Sequence, residues 1–270
     1  MARHILPQPG LGTYRLKEQA VIDSVTSALE LGYRHLDSAR MYENERAVGK
    51  AIRQSGIARD ELFVTTKIWW NELEPKALTA AVEESLDNFG LEQLDLVLIH
   101  WPSPGGEVAM ADYIGALDAV RARGLTRHIG VSNFTIAQID EALTLPGGEN
   151  IVTNQIEVHP FLANRKLVEH CQAKGLDVTA YMPLAVGKVL EEPVLKRIAE
   201  THGATPAQIA LAWIAARDIV VIPSSTKPAN QKSNLEALDI HLSEAEMAEI
   251  DRLDRGDRQA NPSFAPRWDE

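Results

Sequence analysis

Four residues of this chain could share acid–base chemistry if the fold brought them together: Asp37, Tyr42, Lys67 and His100. Asp37 ends the β-like run Tyr33-Arg34-His35-Leu36, and Tyr42 follows it in a polar loop. That pair alone is a weak signal, because most aspartates at strand ends form turns. Lys67 closes Val64-Thr65-Thr66 among bulky apolar neighbours, and His100 closes the apolar run Leu94-Asp95-Leu96-Val97-Leu98-Ile99. Singly, a strand-end lysine snorkels to water and a strand-end histidine is a hydrogen-bonded spectator. Four such residues at four matching positions are a much rarer coincidence.

Three chemistries could use them. In the first, Tyr42 is a general acid. The Lys67 ammonium favours the phenolate and draws the phenol pKa down, Asp37 keeps Lys67 charged, and His100 donates a hydrogen bond to a carbonyl oxygen. Such a set protonates an oxygen as hydride reaches its carbon, so it requires a hydride-donating cofactor. In the second, Lys67 is a Schiff-base nucleophile, a role that needs a neutral amine and that a neighbouring Asp37 opposes. In the third, His35 and Asp37 begin a metal site. His128 starts its strand, however, and His159, His170, His202 and His241 fall in loops or helices, so no metal is expected.

The elements that must position these residues alternate along the chain. Strands are expected at 10–14, 33–36, 61–67, 94–100, 127–131, 151–156, 176–181 and 219–223. Amphipathic helices are expected at 17–31, 45–56, 75–89, 111–123, 135–145, 164–174 and 194–202, several of them stopped by glycine. Thr205-Pro206-Ala207-Gln208 and Ser243-Glu244-Ala245-Glu246 open two more with capping-box patterns. Eight strand–helix units in one domain spanning 1–270 match the size of an α/β (β/α)8 TIM barrel, with residues 255–270 as a C-terminal loop over its mouth. A doubly wound sheet is the alternative, but Gly10-Leu11-Gly12-Thr13 lacks the glycine-rich fingerprint that fold would carry. In a barrel the site lies at the strand C-termini, where Ser132 with Asn133, Asn154 with Gln155, Tyr181 and Ser224-Ser225-Thr226-Lys227 would join the first four.

Composition narrows the partners. A net charge of −11 over 270 residues, without a basic block, argues against nucleic acid and an anionic membrane surface. No apolar run reaches the roughly 20 residues of a membrane span. Cys171, the single cysteine, shares an apolar helix face with Leu167 and Val168 and reads as buried. A cytoplasmic protein is expected.

The motifs also carry a resemblance. Gly32-Tyr33-Arg34-His35-Leu36-Asp37-Ser38-Ala39 with Tyr42 and Asn44-Glu45 resembles the first signature of the aldo-keto reductases, barrels that reduce carbonyls with a nicotinamide cofactor. Leu94 through Pro102, Ile129-Gly130-Val131-Ser132-Asn133-Phe134, Asn154-Gln155-Ile156-Glu157 and Ile222-Pro223-Ser224-Ser225 resemble other segments of that family. The Trp101-Pro102-Ser103-Pro104 sequence is similar to the bacterial 2,5-diketo-gluconate and methylglyoxal reductases.

The resemblance implies Tyr42 as proton donor, Lys67 and Asp37 as its tuners and His100 as orienter of the carbonyl. It implies nicotinamide contacts from Ser132, Asn133 and Gln155, with Tyr181 stacking on the ring and Thr13 and Asp37 alongside. Pyrophosphate would lie along Pro183, Leu184 and Ala185. Ser225, Thr226 and Lys227 would meet the adenosine 2′-phosphate, with Asn234 near the adenine, and Ile222 and Ser224 would also bind the cofactor. Trp69, Trp101 and Trp268 would contact substrate, although rim packing is the plainer reading of each. The family usually carries Lys, Arg and Glu where this chain has Ser224, Asn230 and Ser233, which removes cations from the phosphate site. NADPH is the expected cofactor, NADH the alternative, a small carbonyl compound the expected partner, and a monomer the expected state. A barrel that binds cofactor without catalysis is the alternative of another class.

Overall fold

The computed structural model describes residues 5–269. Eight parallel strands lie side by side in chain order: β1 (Gly10–Gly12), β2 (His35–Asp37), β3 (Phe63–Ile68), β4 (Leu94–Ile99), β5 (Thr126–Ser132), β6 (Ile151–Glu157), β7 (Asp177–Tyr181) and β8 (Val220–Val221). The ring closes where the Gly12 N–H donates to the Pro223 carbonyl at 3.1 Å. Glycine is required there, since a Cβ on Gly12 would lie 2.7 Å from the Ile222 carbonyl oxygen. The helices α1 (Glu18–Leu31), α2 (Glu45–Ser55), α3 (Pro75–Phe89), α4 (Met110–Ala122), α5 (Ile136–Thr144), α6 (Arg165–Ala173), α7 (Pro193–His202), α8 (Pro206–Ala215), α9 (Pro228–Glu236) and α10 (Glu244–Asp251) follow in turn. This is a single-domain (β/α)8 barrel.

Strand alternation builds two apolar layers. In β4 every residue is buried: Leu96 and Leu98 join Phe63 and Val220 in an inner cluster, while Val97 and Ile99 join the outer core under the helices. Helix α3 shows how the sequence sets its partner face. Pro75 occupies its first turn, Leu78, Val82, Leu86 and Phe89 are buried, and Gly90 at φ 68° ends it. Capping boxes form at Thr205 with Gln208 and at Ser243 with Glu246, as their spacing predicts.

Several expectations need correction. Strand β1 stops at Gly12, two residues short of Tyr14, and β8 is only Val220–Val221 because Pro223 has no N–H to extend the ladder. Strand β2 starts at His35, so Asp37 is a ladder residue opposite Gly12. Helix α9 was not expected, since its sequence carries no apolar stripe. It docks through hydrogen bonds: Gln231 Nε2 donates to the Ser24 carbonyl at 2.9 Å and Tyr33 donates to the Gln231 carbonyl at 2.9 Å. Cys171 is buried as expected, and burial pushes its thiol up to about 11. Among the described residues no helix is long and apolar enough to cross a membrane.

Candidate active site

The four residues meet because four elements end at one mouth. Asp37 closes β2. The chain then runs through Ser38 and Ala39 into a 3-10 turn, Arg40–Tyr42, whose Tyr42 N–H donates to the Ala39 carbonyl at 3.0 Å. Buried Asn44 ties this turn to the β1 loop, donating from Nδ2 to the carbonyls of Thr13 (2.9 Å) and Leu16 (3.0 Å) and accepting from Ser38 Oγ (2.6 Å). Lys67 is the penultimate residue of β3 and points inward. His100 follows β4, and its N–H donates to the Ile68 carbonyl at 2.9 Å.

Lys67 Nζ donates to Asp37 Oδ1 at 2.5 Å, to the Ser38 carbonyl at 2.8 Å and to the Tyr42 hydroxyl at 3.4 Å. All three ammonium hydrogens are therefore directed to acceptors. The second oxygen of Asp37 accepts from Gln155 Nε2 at 2.8 Å. The Tyr42 ring meets His100 edge-on at 5.7 Å, and Trp69 packs on His100 at 4.9 Å. His100 Nδ1 is buried without a hydrogen-bond partner, leaving Nε2 as the ring nitrogen with access to the cleft.

Burial dominates the electrostatics. It raises the Tyr42 phenol well above its ordinary value, with Asp37, Tyr14 and Tyr181 adding to the rise. It lowers His100 well below the usual imidazole value, helped by the Lys67 charge. It also pulls Lys67 down, opposed by Asp37. The sequence reading had Lys67 drawing the Tyr42 phenol down, whereas the net push is upward because burial and Asp37 outweigh the ammonium. Tyr42 thus keeps its proton and His100 stays neutral near pH 7.

A cleft of about 490 Å³ opens over this set. Of the expected residues, Thr13, Asp37, Tyr42, Trp69, His100, Trp101, Asn133, Gln155, Tyr181, Pro183, Ile222 and Ser224 line it. An adjoining cleft of about 240 Å³ is lined by Leu184 together with Pro183 and Ser224. Lys67 sits behind Asp37 and Tyr42, outside the lining. Ser132 is fully buried and donates to the Gln155 carbonyl at 2.8 Å, and Ala185 is fully buried as well. Ser225, Thr226 and Lys227 lie beyond both clefts, before and at the start of α9, and Asn234 is buried beside the Tyr33 phenol. Trp268 packs on Trp101 at 5.9 Å but does not line the cleft.

The sequence reading missed Tyr14, Arg15, Met41, Met182 and the tail residues Gln259, Ala260, Asn261, Pro262 and Phe264, all of which line the main cleft. Phe264 contacts Trp69 at 5.8 Å and Trp101 at 5.5 Å and lines the cleft where Trp268 was expected to. Its position between Pro262 and Pro266 was the available signal, a stiff bend in an otherwise patternless tail.

The residues present fit an extended nicotinamide cofactor. The two clefts run on from Tyr42 and His100, past Tyr181 and Pro183, to Ser224 at the barrel seam, with Arg15 bordering both. Tyr181 offers an aromatic wall whose hydroxyl is fixed by donating to Asn133 Oδ1 at 2.7 Å, and burial followed by the Glu157 charge raises its pKa. Asn133 Nδ2 donates both hydrogens, to the His100 carbonyl at 2.9 Å and to Ser132 Oγ at 3.1 Å, whereas Gln155 Nε2 gives one to Asp37, so Gln155 keeps its Oε1 and a second N–H for a ligand. Among the described residues no group of three or more His, Cys, Asp and Glu could hold a metal ion.

Comparison with known proteins gives a consistent result. Residues 8–255 match the Aldo/keto reductase family profile. The chain is 52% identical over 265 residues to the methylglyoxal reductase DkgB of Yersinia pestis, covering 98% of this chain and 99% of that protein. It is 37% identical to aldo-keto reductase family 1 member A1 of Rattus norvegicus, covering 95% of this chain and 89% of that protein. Among solved structures, one described provisionally as a 2,5-diketo-D-gluconic acid reductase B superposes with a TM-score of 0.93 at 40% identity, covering 98% of this chain and 94% of that one.

Proposed function

The chain belongs to the aldo/keto reductase family, and from that premise we propose that it reduces small aldehydes and ketones to alcohols with NADPH. The substrates we favour are 2-oxoaldehydes such as methylglyoxal and keto-sugar acids such as 2,5-diketo-gluconate, after the names of its relatives. The observation that carries this reading is the single hydrogen-bonded group of Asp37, Lys67 and Tyr42, with His100 against the Tyr42 ring.

In this reading the bound nicotinamide supplies the hydride. Tyr42 gives its phenolic proton to the carbonyl oxygen, and Lys67 stabilises the phenolate left behind. Asp37 holds Lys67 in place against the cost of burying its charge. His100, neutral, donates from Nε2 to the same carbonyl oxygen and fixes its direction. Tyr181 backs the nicotinamide ring, and Gln155 with Asn133 meets its carboxamide. Trp69, Trp101 and Phe264 close an apolar wall around the substrate and exclude water. Thr13, Pro183, Leu184, Ile222 and Ser224 would follow the rest of the cofactor. Lys227 is the cation we assign to the 2′-phosphate, in place of the lysine and arginine that the family usually carries where this chain has Ser224 and Asn230. Residues 255–269 form a loop over the mouth, residue 270 of the expected loop lying outside the described residues, and the protein works as a monomer.

A Schiff-base role for Lys67 is disfavoured because its three hydrogens are all directed to acceptors and its side chain lies outside the cleft lining. A non-catalytic barrel is disfavoured because all four groups are present and joined. The test is a cofactor-oxidation assay over methylglyoxal, 2,5-diketo-gluconate and aromatic aldehydes, run with NADPH and with NADH. Carbonyl-dependent oxidation is expected, faster with NADPH. No oxidation with any carbonyl would sink the proposal, and borohydride trapping of a carbonyl on Lys67 would revive the lyase.

A further inference from the structure

Glu157 is a fully buried carboxylate with no part in the chemistry above. Strand alternation puts Thr153, Gln155 and Glu157 of β6 on one face. Gln155 reaches Asp37, and Glu157 ends the strand one layer nearer the mouth, opposite Tyr181 of β7. Glu157 Oε1 accepts from His159 Nε2 at 2.7 Å and from the Gln259 backbone N–H at 2.7 Å, and Oε2 accepts from the Ala260 backbone N–H at 2.8 Å. A carboxylate only accepts, so His159 Nε2 carries the hydrogen of this contact, and its Nδ1 is buried without a partner. Burying a charge in this way is costly unless strong hydrogen bonds meet it. Here one imidazole and two consecutive backbone amides meet it.

Those amides belong to the segment that lines the carbonyl end of the cleft through Gln259, Ala260, Asn261, Pro262 and Phe264. The segment is neither helix nor strand, so no backbone ladder holds it. Its upstream residues are fastened to the same β6–α6 connection, where the Phe161 carbonyl accepts from the Arg255 N–H (3.3 Å) and the Asp257 N–H (3.0 Å). Downstream, Asp269 accepts from the Ile136 N–H at the start of α5 at 2.8 Å. Between these moorings, Arg258 donates to Asn164 Oδ1 at 3.2 Å, and Glu157 holds the next two backbone amides just before the chain turns into the substrate wall.

We propose that Glu157, braced by His159, is a positioning residue for substrate binding. By gripping the amides of Gln259 and Ala260 it sets the tail wall of the cleft, and so sets carbonyl affinity without touching the carbonyl. The substrate half of this inference rests on the reductase reading; the grip itself does not. In Glu157→Gln one carboxylate oxygen becomes an NH₂ group facing N–H donors. Hydrogen exchange at Gln259 and Ala260, read by mass spectrometry, should speed up by about tenfold or more in the variant. The KM for methylglyoxal should rise about tenfold with kcat within about twofold, while the dissociation constant for NADPH holds within about twofold. Unchanged exchange at both amides overturns the grip, and faster exchange with an unchanged KM overturns its role in affinity. Should the variant fail to fold, the native protein decides: these two amides must exchange as slowly as strand amides, and exchange at free-loop rates would overturn the proposal. A native protein that reduces no carbonyl would overturn the functional reading and the affinity role together, while the exchange measurement still reports on the grip.

Discussion

At the scale of single residues, catalysis is assigned to Tyr42 and its environment to three others. Tyr42→Phe removes the proton and keeps the ring that packs against His100. Stopped-flow reduction should slow by a factor on the order of 10²–10⁴, with NADPH titration nearly unchanged. Undiminished turnover would remove Tyr42 from the role. The pH profile follows from the directions of the shifts. The active forms for reduction are a protonated phenol and a neutral imidazole. Burial and Asp37 hold the phenol well above its ordinary value, and burial and Lys67 hold His100 well below its own. Both active forms therefore coexist across neutrality, and kcat/KM for reduction should stay flat between about pH 6.5 and 8.5. A bell centred inside that window would contradict the assignment. The sequence showed which residues could do this chemistry, since Asp, Tyr, Lys and His each stand near a strand end. It could not show the direction in which Tyr42 shifts, because that depends on how completely neighbouring segments exclude water.

At the scale of elements, the turn bearing Tyr42 is held from outside the cleft. Arg40 is mostly buried and pairs bidentately with Glu72 at 2.9 and 2.7 Å, and it also donates to the Ala81 carbonyl (3.1 Å) and to Glu84 (2.9 Å). Glu72 ends the 3-10 turn Trp70–Glu72 that follows Trp69, so one ion pair joins the turn of the proton donor to a wall of the substrate pocket. Arg40→Ala should lower kcat by about tenfold, and Glu72→Gln should add little on top of it, as expected of two mutations breaking one contact. Strict additivity in that double-mutant cycle would separate the two residues. Helix α9 makes a second case. Lys227 is its exposed N-cap residue, three positions after Ser224 at the cleft edge. Lys227→Ala should weaken NADPH by about tenfold and NADH hardly at all, as expected for the loss of a partly exposed ion pair with phosphate. Equal losses would place 2′-phosphate recognition elsewhere. Periodicity missed α9 because polar contacts through Gln231 dock it, whereas α3, with Leu78, Val82, Leu86 and Phe89 on one face, was plain from the sequence.

At the scale of the whole molecule, the barrel also fixes how stability responds to acid. His35 is wholly buried; its Nδ1 lies 3.0 Å from the Pro7 carbonyl and its Nε2 3.1 Å from Thr65 Oγ1. Its pKa is lowered, chiefly by burial, as is that of His100. Below the unfolded histidine value of about 6.5 the unfolded chain binds protons that the native barrel refuses. The stability these neutral histidines preserve is thus complete above that pH and is lost as pH falls below it, by up to about 1.4 kcal/mol per pH unit for each. The melting temperature should drop between pH 7 and pH 5, ahead of carboxylate protonation; equal values at the two pHs would contradict the buried neutral state. The sequence by itself determined the order of the strands and of the helices other than α9, the barrel and the four candidate reacting residues. These rest on local pattern: period-2 and period-3.6 burial, glycine stops, and polar residues where apolar runs end. Only the tertiary structure decided that Lys67 stands behind the cleft, that Phe264 rather than Trp268 lines it, and that Glu157 holds the tail. Those facts depend on contacts between segments that, for Phe264 and Trp69, stand 195 residues apart, fixed by packing and hydrogen bonding that no local pattern encodes.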